Sequence, residues 1–285
     1  YEAADMGWLH TFAGGLLTTC GLTTLGPPGT DGDDALGLHG RVSTLPARQV
    51  QDRSRWEDDR YVIELVGTIQ EARLFGHCLE MTRTIRTELG SRALTVEDQV
   101  HNAGYQSSPL TMLYHVNAGY PLLDATSTLV ATARRVEAHD EQSRGAVSAC
   151  RRFTAPVPGF LEQNFLFQME SAGDGWAHAA MLNPGLGEGL GLALAFRPEE
   201  LPYLNEWKMM GQRDYVVGIE PCNVPCANRA DLRAVGLLPM LEPGETQTHH
   251  LRFNVLEGPA ELQTFEESYA RVPADERFTR LLIHP

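Results

Sequence analysis

The stretch LEMTRTIR, Leu79–Arg86, puts Leu79, Met81 and Ile85 on one face and Glu80, Thr82, Thr84 and Arg86 on the other. Period two marks a strand with one face on a core, because successive side chains point to opposite sides of a pleated backbone. The pattern extends both ways. YVIELVG (Tyr61–Gly67) is rich in β-formers, and Leu94, Val96 and Val100 fall together in Leu94–Val100. Gly90-Ser91 and Asn102-Ala103-Gly104 are turn residues at the breaks. Strands joined by short turns predict an antiparallel meander rather than the alternating βαβ units of a parallel dinucleotide-binding sheet.

Further strands are expected where an apolar run leads into His115 and Asn117, and over Leu129–Val136, Phe160–Glu170, Gly189–Phe196, Tyr215–Ile219 and Leu251–Leu256. In Gly189–Phe196 the large Leu190, Leu192, Leu194 and Phe196 alternate with Gly and Ala. The nearly bare side predicts close approach of another strand or sheet. Pro27–Gly37 reads as a turn-rich surface loop. One helix is expected, over Glu261–Arg271, with Leu262, Phe265 and Tyr269 on a shared face. The expected fold is all-β, one domain over residues 1–285, a large two-sheet sandwich with a short C-terminal helix.

The net charge of −14 gives the wrong sign of long-range attraction for nucleic acid or an anionic membrane. No run approaches the roughly 18 apolar residues of a membrane span. Five scattered cysteines make no disulfide framework and are expected as free thiols in a reducing cytoplasm. Cys222 and Cys226 lack a second pair to complete a zinc site. The chain opens at Tyr1, so a natural start upstream is expected.

The glycines of Gly185–Gly191 have the wrong spacing for a nucleotide loop, and no Gly-x-Ser-x-Gly elbow anchors a hydrolase triad. His249 and His250 occupy adjacent strand positions, which point to opposite faces. His77 has no neighbour that singles it out. Three stretches remain. His39-Gly40-Arg41 follows the turn-rich loop. His115 and Asn117 share a strand face. EWKMMGQRDYVVGIEPCN, Glu206–Asn223, holds Lys208, the one lysine among 23 basic residues, and ends a short apolar run on Glu220. Taken singly, these read as a loop histidine, a satisfied core histidine and a solvated acid at a strand rim.

Several stretches resemble the aldose 1-epimerase (galactose mutarotase-like) superfamily, and within it a bacterial branch known as a domain of unknown function. They are GGLLTTCGL (Gly14–Leu22), LGLHGRVSTLPA (Leu36–Ala47), EARLFG (Glu71–Gly76), LYHVNAGYPLLD (Leu113–Asp124), EWKMMG (Glu206–Gly211), YVVGIEPCN (Tyr215–Asn223) and LPMLEPGE (Leu238–Glu245). The resemblance implies an antiparallel β-supersandwich that binds a small sugar and interconverts its anomers without metal or cofactor. It implies Glu220 as the base at the anomeric hydroxyl, His115 as the acid at the ring oxygen and His39 as a residue that holds the sugar. Arg41, Arg73, Asn117, Gln163, Lys208 and Asn223 are then expected to bind hydroxyls, with Trp207 as a stacking wall. Lys208 lies in a stretch peculiar to the branch and would favour an anionic or open-chain sugar. Reference pKa values of about 4.3 for glutamate and about 6.5 for histidine bring both within reach of neutral pH. His115 and Glu220 are expected to face each other across a polar cleft with room for a sugar ring. Two alternatives stand beside this reading: a non-catalytic sugar-binding protein, and a sugar isomerase using His39, His115 and Glu220 as metal ligands.

Overall fold

A computed structural model describes residues 4–12 and 14–270. They divide into two compact units. One takes the residues up to 13, Thr19–Leu113 and Cys226–Arg252; the other takes Gly14–Thr18, Tyr114–Pro225 and the residues from Phe253 onward.

In the first unit the alternating sequence forms the expected antiparallel meander. Arg60–Ala72 pairs with Cys78–Glu88, in register from Val62↔Glu88 to Ala72↔Cys78. Cys78–Glu88 pairs with Ala93–Asn102, and Arg48–Asp52 flanks the other side of Arg60–Ala72. Leu79, Met81, Val96 and Val100 are buried, but Ile85, on the same face, is 38% exposed. The buried face therefore ends before the strand does. Asp98 also lies fully buried on that face. It is answered by the Arg83 fork, with Nε to Oδ1 at 2.8 Å and Nη2 to Oδ2 at 2.6 Å. Two parallel charge-assisted bonds are what a buried carboxylate requires.

Pro27–Gly37, expected as a loop, contains a small hairpin, Gly29–Asp31 paired with Asp34–Leu36. Its fastener is Arg229, on a short helix, Arg229–Ala234, that the sequence reading did not place. The buried guanidinium donates from Nε to Asp31 Oδ2 and from Nη2 to Asp34 Oδ2, each at 2.6 Å.

In the second unit the strands Tyr215–Cys222, Tyr203–Met210, Gln163–Met169 and Ala133–Ala138 lie side by side in that order, with residues 114–119 in the strand next to Tyr215–Cys222. Tyr203–Met210 was not read as a strand, because EWKMM breaks no apolar alternation visible in sequence. Leu129–Val136 is two strands, Thr128–Ala131 and Ala133–Ala138, which pair with different partners.

The bare side of Leu190–Phe196 is covered by a helix, Gly258–Tyr269, rather than by another strand or sheet alone. Leu262 and Phe265 pack with Ala193, Ala180, Leu182 and Leu256. A Cβ at Gly191 would stand 2.9 Å from Leu182 Cδ2 and 3.3 Å from Leu256 Cβ. Leu262, Phe265 and Tyr269 share the expected face; Arg271 lies outside the described residues. Among the described residues no helix is long and apolar enough to cross a membrane.

Gly191→Val should destabilise the protein by about 1–3 kcal/mol through overpacking, measured by denaturant unfolding. An unchanged midpoint would show that Leu182 and Leu256 do not close over this position.

Candidate active site

Strand register assembles the site in the second unit. Tyr203–Met210 pairs with Tyr215–Cys222 so that Asn205 stands opposite Glu220 and Trp207 opposite Gly218. Directly paired residues project to the same side, so Asn205, Trp207 and Glu220 share one face. Asn205 Nδ2 donates to Glu220 Oε2 at 2.7 Å. On the same side, His115 Nε2 lies 3.0 Å from Glu220 Oε1. The Trp207 ring meets the imidazole edge-on, with centroids 5.7 Å apart, and its Nε1 donates to Glu162 Oε2 at 2.8 Å.

Glycine at 218 makes room for this contact. A Cβ there would lie 2.1 Å from Glu220 Oε1 and 3.2 Å from His115 Cε1. Asn205 and Gly218 lie beside Glu220 in this candidate site, and the sequence reading did not single them out. The signal for Gly218 was present: a glycine two positions before Glu220, in a run of β-formers, falls on the face of the acid. The signal for Asn205 lies in the register of two strands, which no single stretch displays.

Glu220 is 1% exposed and His115 4% exposed. Glu220 is therefore not a solvated rim acid. Burial pushes the His115 imidazole down to about 4, with a hydrogen bond to Asn117 opposing the shift. The resting histidine is then neutral at pH 7, and a carboxylate oxygen 3.0 Å from Nε2 favours the tautomer that carries its proton there. The two groups touch; no sugar ring fits between them, contrary to the expected cleft.

Asn117 Nδ2 donates to Gly15 O at 2.9 Å and to His115 O at 3.2 Å. The buried oxygens Asn117 Oδ1 and Asn205 Oδ1 have no hydrogen-bond partner among the described residues. They are acceptors that a ligand hydroxyl can satisfy.

Lys208 is a correction. Alternation sends it to the reverse of the sheet from Trp207. There it is buried, and Nζ donates to Ala149 O at 2.9 Å and Arg152 O at 2.7 Å. It ties down a chain segment and does not share the face of Glu220. Gln163, directly opposite Lys208 in register, falls on the same reverse side, so it too is removed from the dyad. Asn223, one residue past the Glu220 strand, is buried.

Glu206 also lies on the reverse side, fully buried, and neither carboxylate oxygen has a hydrogen-bond partner among the described residues. Burial pushes it up to about 8; Lys208 and Arg151 oppose the shift and Glu220 adds to it. It is protonated at neutral pH.

His39, Arg41 and Arg73 belong to the first unit. His39 has a left-handed backbone, φ 58°. Its Nδ1 lies 2.7 Å from Leu25 O, and its ring sits edge-on to Trp8. Arg73 is paired with Asp34. Arg41 is exposed at the mouth of a cavity of about 220 Å³. Among the described residues no group of three or more His, Cys, Asp or Glu side chains could hold a metal ion. His249 is fully buried while His250 is partly exposed, as their alternation requires.

Residues 1–255 match the family described as a domain of unknown function, DUF4432, and the chain belongs to that family. No curated protein matches it. Among solved structures it is similar to a Klebsiella pneumoniae protein provisionally named an aldose 1-epimerase. The TM-score is 0.88 at 23% identity, over 96% of this chain and 71% of that one. A galactose mutarotase-like protein from Clostridium acetobutylicum matches with a TM-score of 0.57 at 15% identity, over 84% of this chain and 78% of that one. A galactose mutarotase related enzyme from Lactobacillus acidophilus gives 0.59 at 10% identity, over 86% and 84% of the respective chains. The fold is thus the galactose mutarotase-like antiparallel β-supersandwich.

The buried Glu206 yields a pH signature. Its folded value, about 8, lies above its ordinary 4.5. The folded state therefore holds the proton more tightly, and stability falls as pH rises from about 4.5 to about 8. Glu206→Gln should gain on wild type across that window in urea unfolding. Parallel pH curves for the two proteins would contradict the assignment.

Proposed function

We propose that this protein is an aldose 1-epimerase-type enzyme that opens and recloses the hemiacetal of a small sugar, with Glu220 and His115 as its acid–base pair. The 3.0 Å contact between His115 Nε2 and Glu220 Oε1 carries the reading. A neutral buried histidine cannot act as a free imidazolium acid, so the pair works as a relay. Glu220 takes the proton of the anomeric hydroxyl as the C1–O5 bond breaks. O5 takes the Nε2 proton of His115, which recovers one from Glu220 across the contact. One proton has moved between two oxygens of the sugar, and both side chains end as they began. Rotation about the bond to C1 and the reverse steps close the other anomer.

Asn205 acts through Glu220. By holding Oε2 it leaves Oε1 as the oxygen that faces the histidine. Trp207 supplies a flat apolar wall beside the pair, suited to the face of a pyranose. Asn117 offers its unsatisfied oxygen to a hydroxyl. His39, Arg41 and Arg73 lie in the other unit, and the chemistry proposed for the pair rests on none of them.

Mutarotation of an aldose panel, followed by polarimetry or exchange NMR, tests the reading. Glu220→Gln and His115→Asn should each lower the rate by about 10²–10⁴-fold, the usual yield of general acid–base catalysis. Asn205→Ala should cost about 10–100-fold, the worth of a hydrogen bond to a charged group. Rates in the Glu220→Gln protein equal to wild type would remove the base assignment. Sugar binding without turnover in the wild type would place the protein among non-catalytic sugar binders on this fold.

A further inference from the structure

The meander of the first unit has one face that the core does not finish covering. Register puts Trp56 opposite Tyr61, and Leu89 continues that row, its N–H donating to Tyr61 O at 2.9 Å. Two steps along the strand Ile63 stands on the same face, and two steps further Leu65 pairs with Ile85. Val50, two positions before the Asp52 that pairs with Leu65, lies there as well. These positions prolong the buried row of Leu79 and Met81. Yet Val50 is 64% exposed, Trp56 67%, Leu65 43% and Leu89 71%.

The opposite face at the same end is complete in itself. Arg55 and Arg86 each pair with Glu57 and Glu64, and Arg60 pairs with Glu88. Alternation has sorted this end into a charged face with zero net charge and an apolar face. Among its strand residues the apolar face carries one charged side chain, Asp52, at the margin, where it accepts from Ser54 N at 2.9 Å. A sheet face patterned in this way is one that expects cover. Taking roughly 150–250 Å² for a large side chain fully in water, Val50, Trp56, Leu65, Ile85 and Leu89 leave on the order of 500 Å² open. Two such faces together bury roughly 1,000 Å², the area at which a specific interface begins.

We propose that this face is an interface between two copies of the chain, packed face to face about a two-fold axis with Trp56, Leu65 and Leu89 at its centre. The area fits a self-association, and charge favours it. A chain of −14 repels its own copy, and a nearly uncharged face backed by balanced ion pairs is where that repulsion is weakest. The same face lacks the charge pattern by which a different protein would be selected. Edge-to-edge pairing is blocked, because the edge strand Arg48–Asp52 is bulged, with Gln49 at φ 50°. Trp56, resting on Tyr61 with ring centroids 5.3 Å apart, is the aromatic anchor such an interface needs. The proposal does not rest on the chemistry of His115 and Glu220.

The test is sedimentation of the full chain from about 1 to about 100 μM. Wild type should pass reversibly from the mass of one chain to that of two. Trp56→Ala should weaken the dimer about 30-fold for each copy of an anchor residue, and so about 10³-fold in all, because a two-fold face uses it twice. Leu89→Glu should leave the single chain at every concentration. Thr95→Glu adds the same charge on the opposite face, where Thr95 pairs with Arg86, and should dimerise as wild type does. All three positions are exposed, so the fold survives each change. A wild type that stays at one chain mass overturns the proposal. So does a dimer that Leu89→Glu and Thr95→Glu weaken alike, or an assembly that grows beyond two. A monomeric wild type whose unfolding midpoint falls in Leu89→Glu would mean that the chain itself covers this face, and would also overturn it.

Discussion

The 3.0 Å contact between His115 Nε2 and Glu220 Oε1 sets the terms for everything around it. Both residues are almost wholly buried, and an isolated charge there would be costly. Each carboxylate oxygen has a polar neighbour: His115 Nε2 lies 3.0 Å from Oε1, and Asn205 donates to Oε2. Gly218 leaves the volume in which they meet. Strand register sets Asn205 opposite Glu220, and a Cβ at position 218 would take the space of Oε1, so both are constrained.

The same strand shows how parity divides labour. Asn205 and Trp207 face the histidine; Glu206 and Lys208 face the other way. The side of the sheet away from the pair is not a uniform apolar core. It holds a protonated glutamate and a lysine bonded to two backbone carbonyls. The lone lysine of the chain thus anchors a segment of backbone. Its rarity in the sequence drew attention to chemistry, but the demand it meets is that of buried carbonyls for donors.

Much of the fold was legible because period two is a local property. The meander from Arg60 to Asn102, the strand into His115 and the helix bearing Leu262 and Phe265 could all be read from spacing. What escaped depended on relations between distant stretches. Ala177–Asn183 has small residues and no clean alternation, and Arg229–Ala234 is held by aspartates some 200 positions earlier, as the Arg229–Asp31 separation of 198 shows. The site divided in the same way. His115 and Glu220 came from motif resemblance, and the structure brings them into contact. Trp207 and Lys208 were adjacent in a motif, so they were grouped, although adjacency on a strand means opposite faces. Asn205 gave no local signal; only cross-strand register reveals it.

The central claim is that His115 rests neutral, with its proton on the Nε2 that lies 3.0 Å from Glu220 Oε1. The most direct measurement is a ¹⁵N–¹H NMR titration of the His115 imidazole in protein labelled at histidine. The account predicts the Nε2–H tautomer, with no protonation from pH 8 down to pH 5 and a midpoint at about 4. A midpoint near the ordinary 6.5 of a solvated histidine, or a proton found on Nδ1 instead, would contradict it.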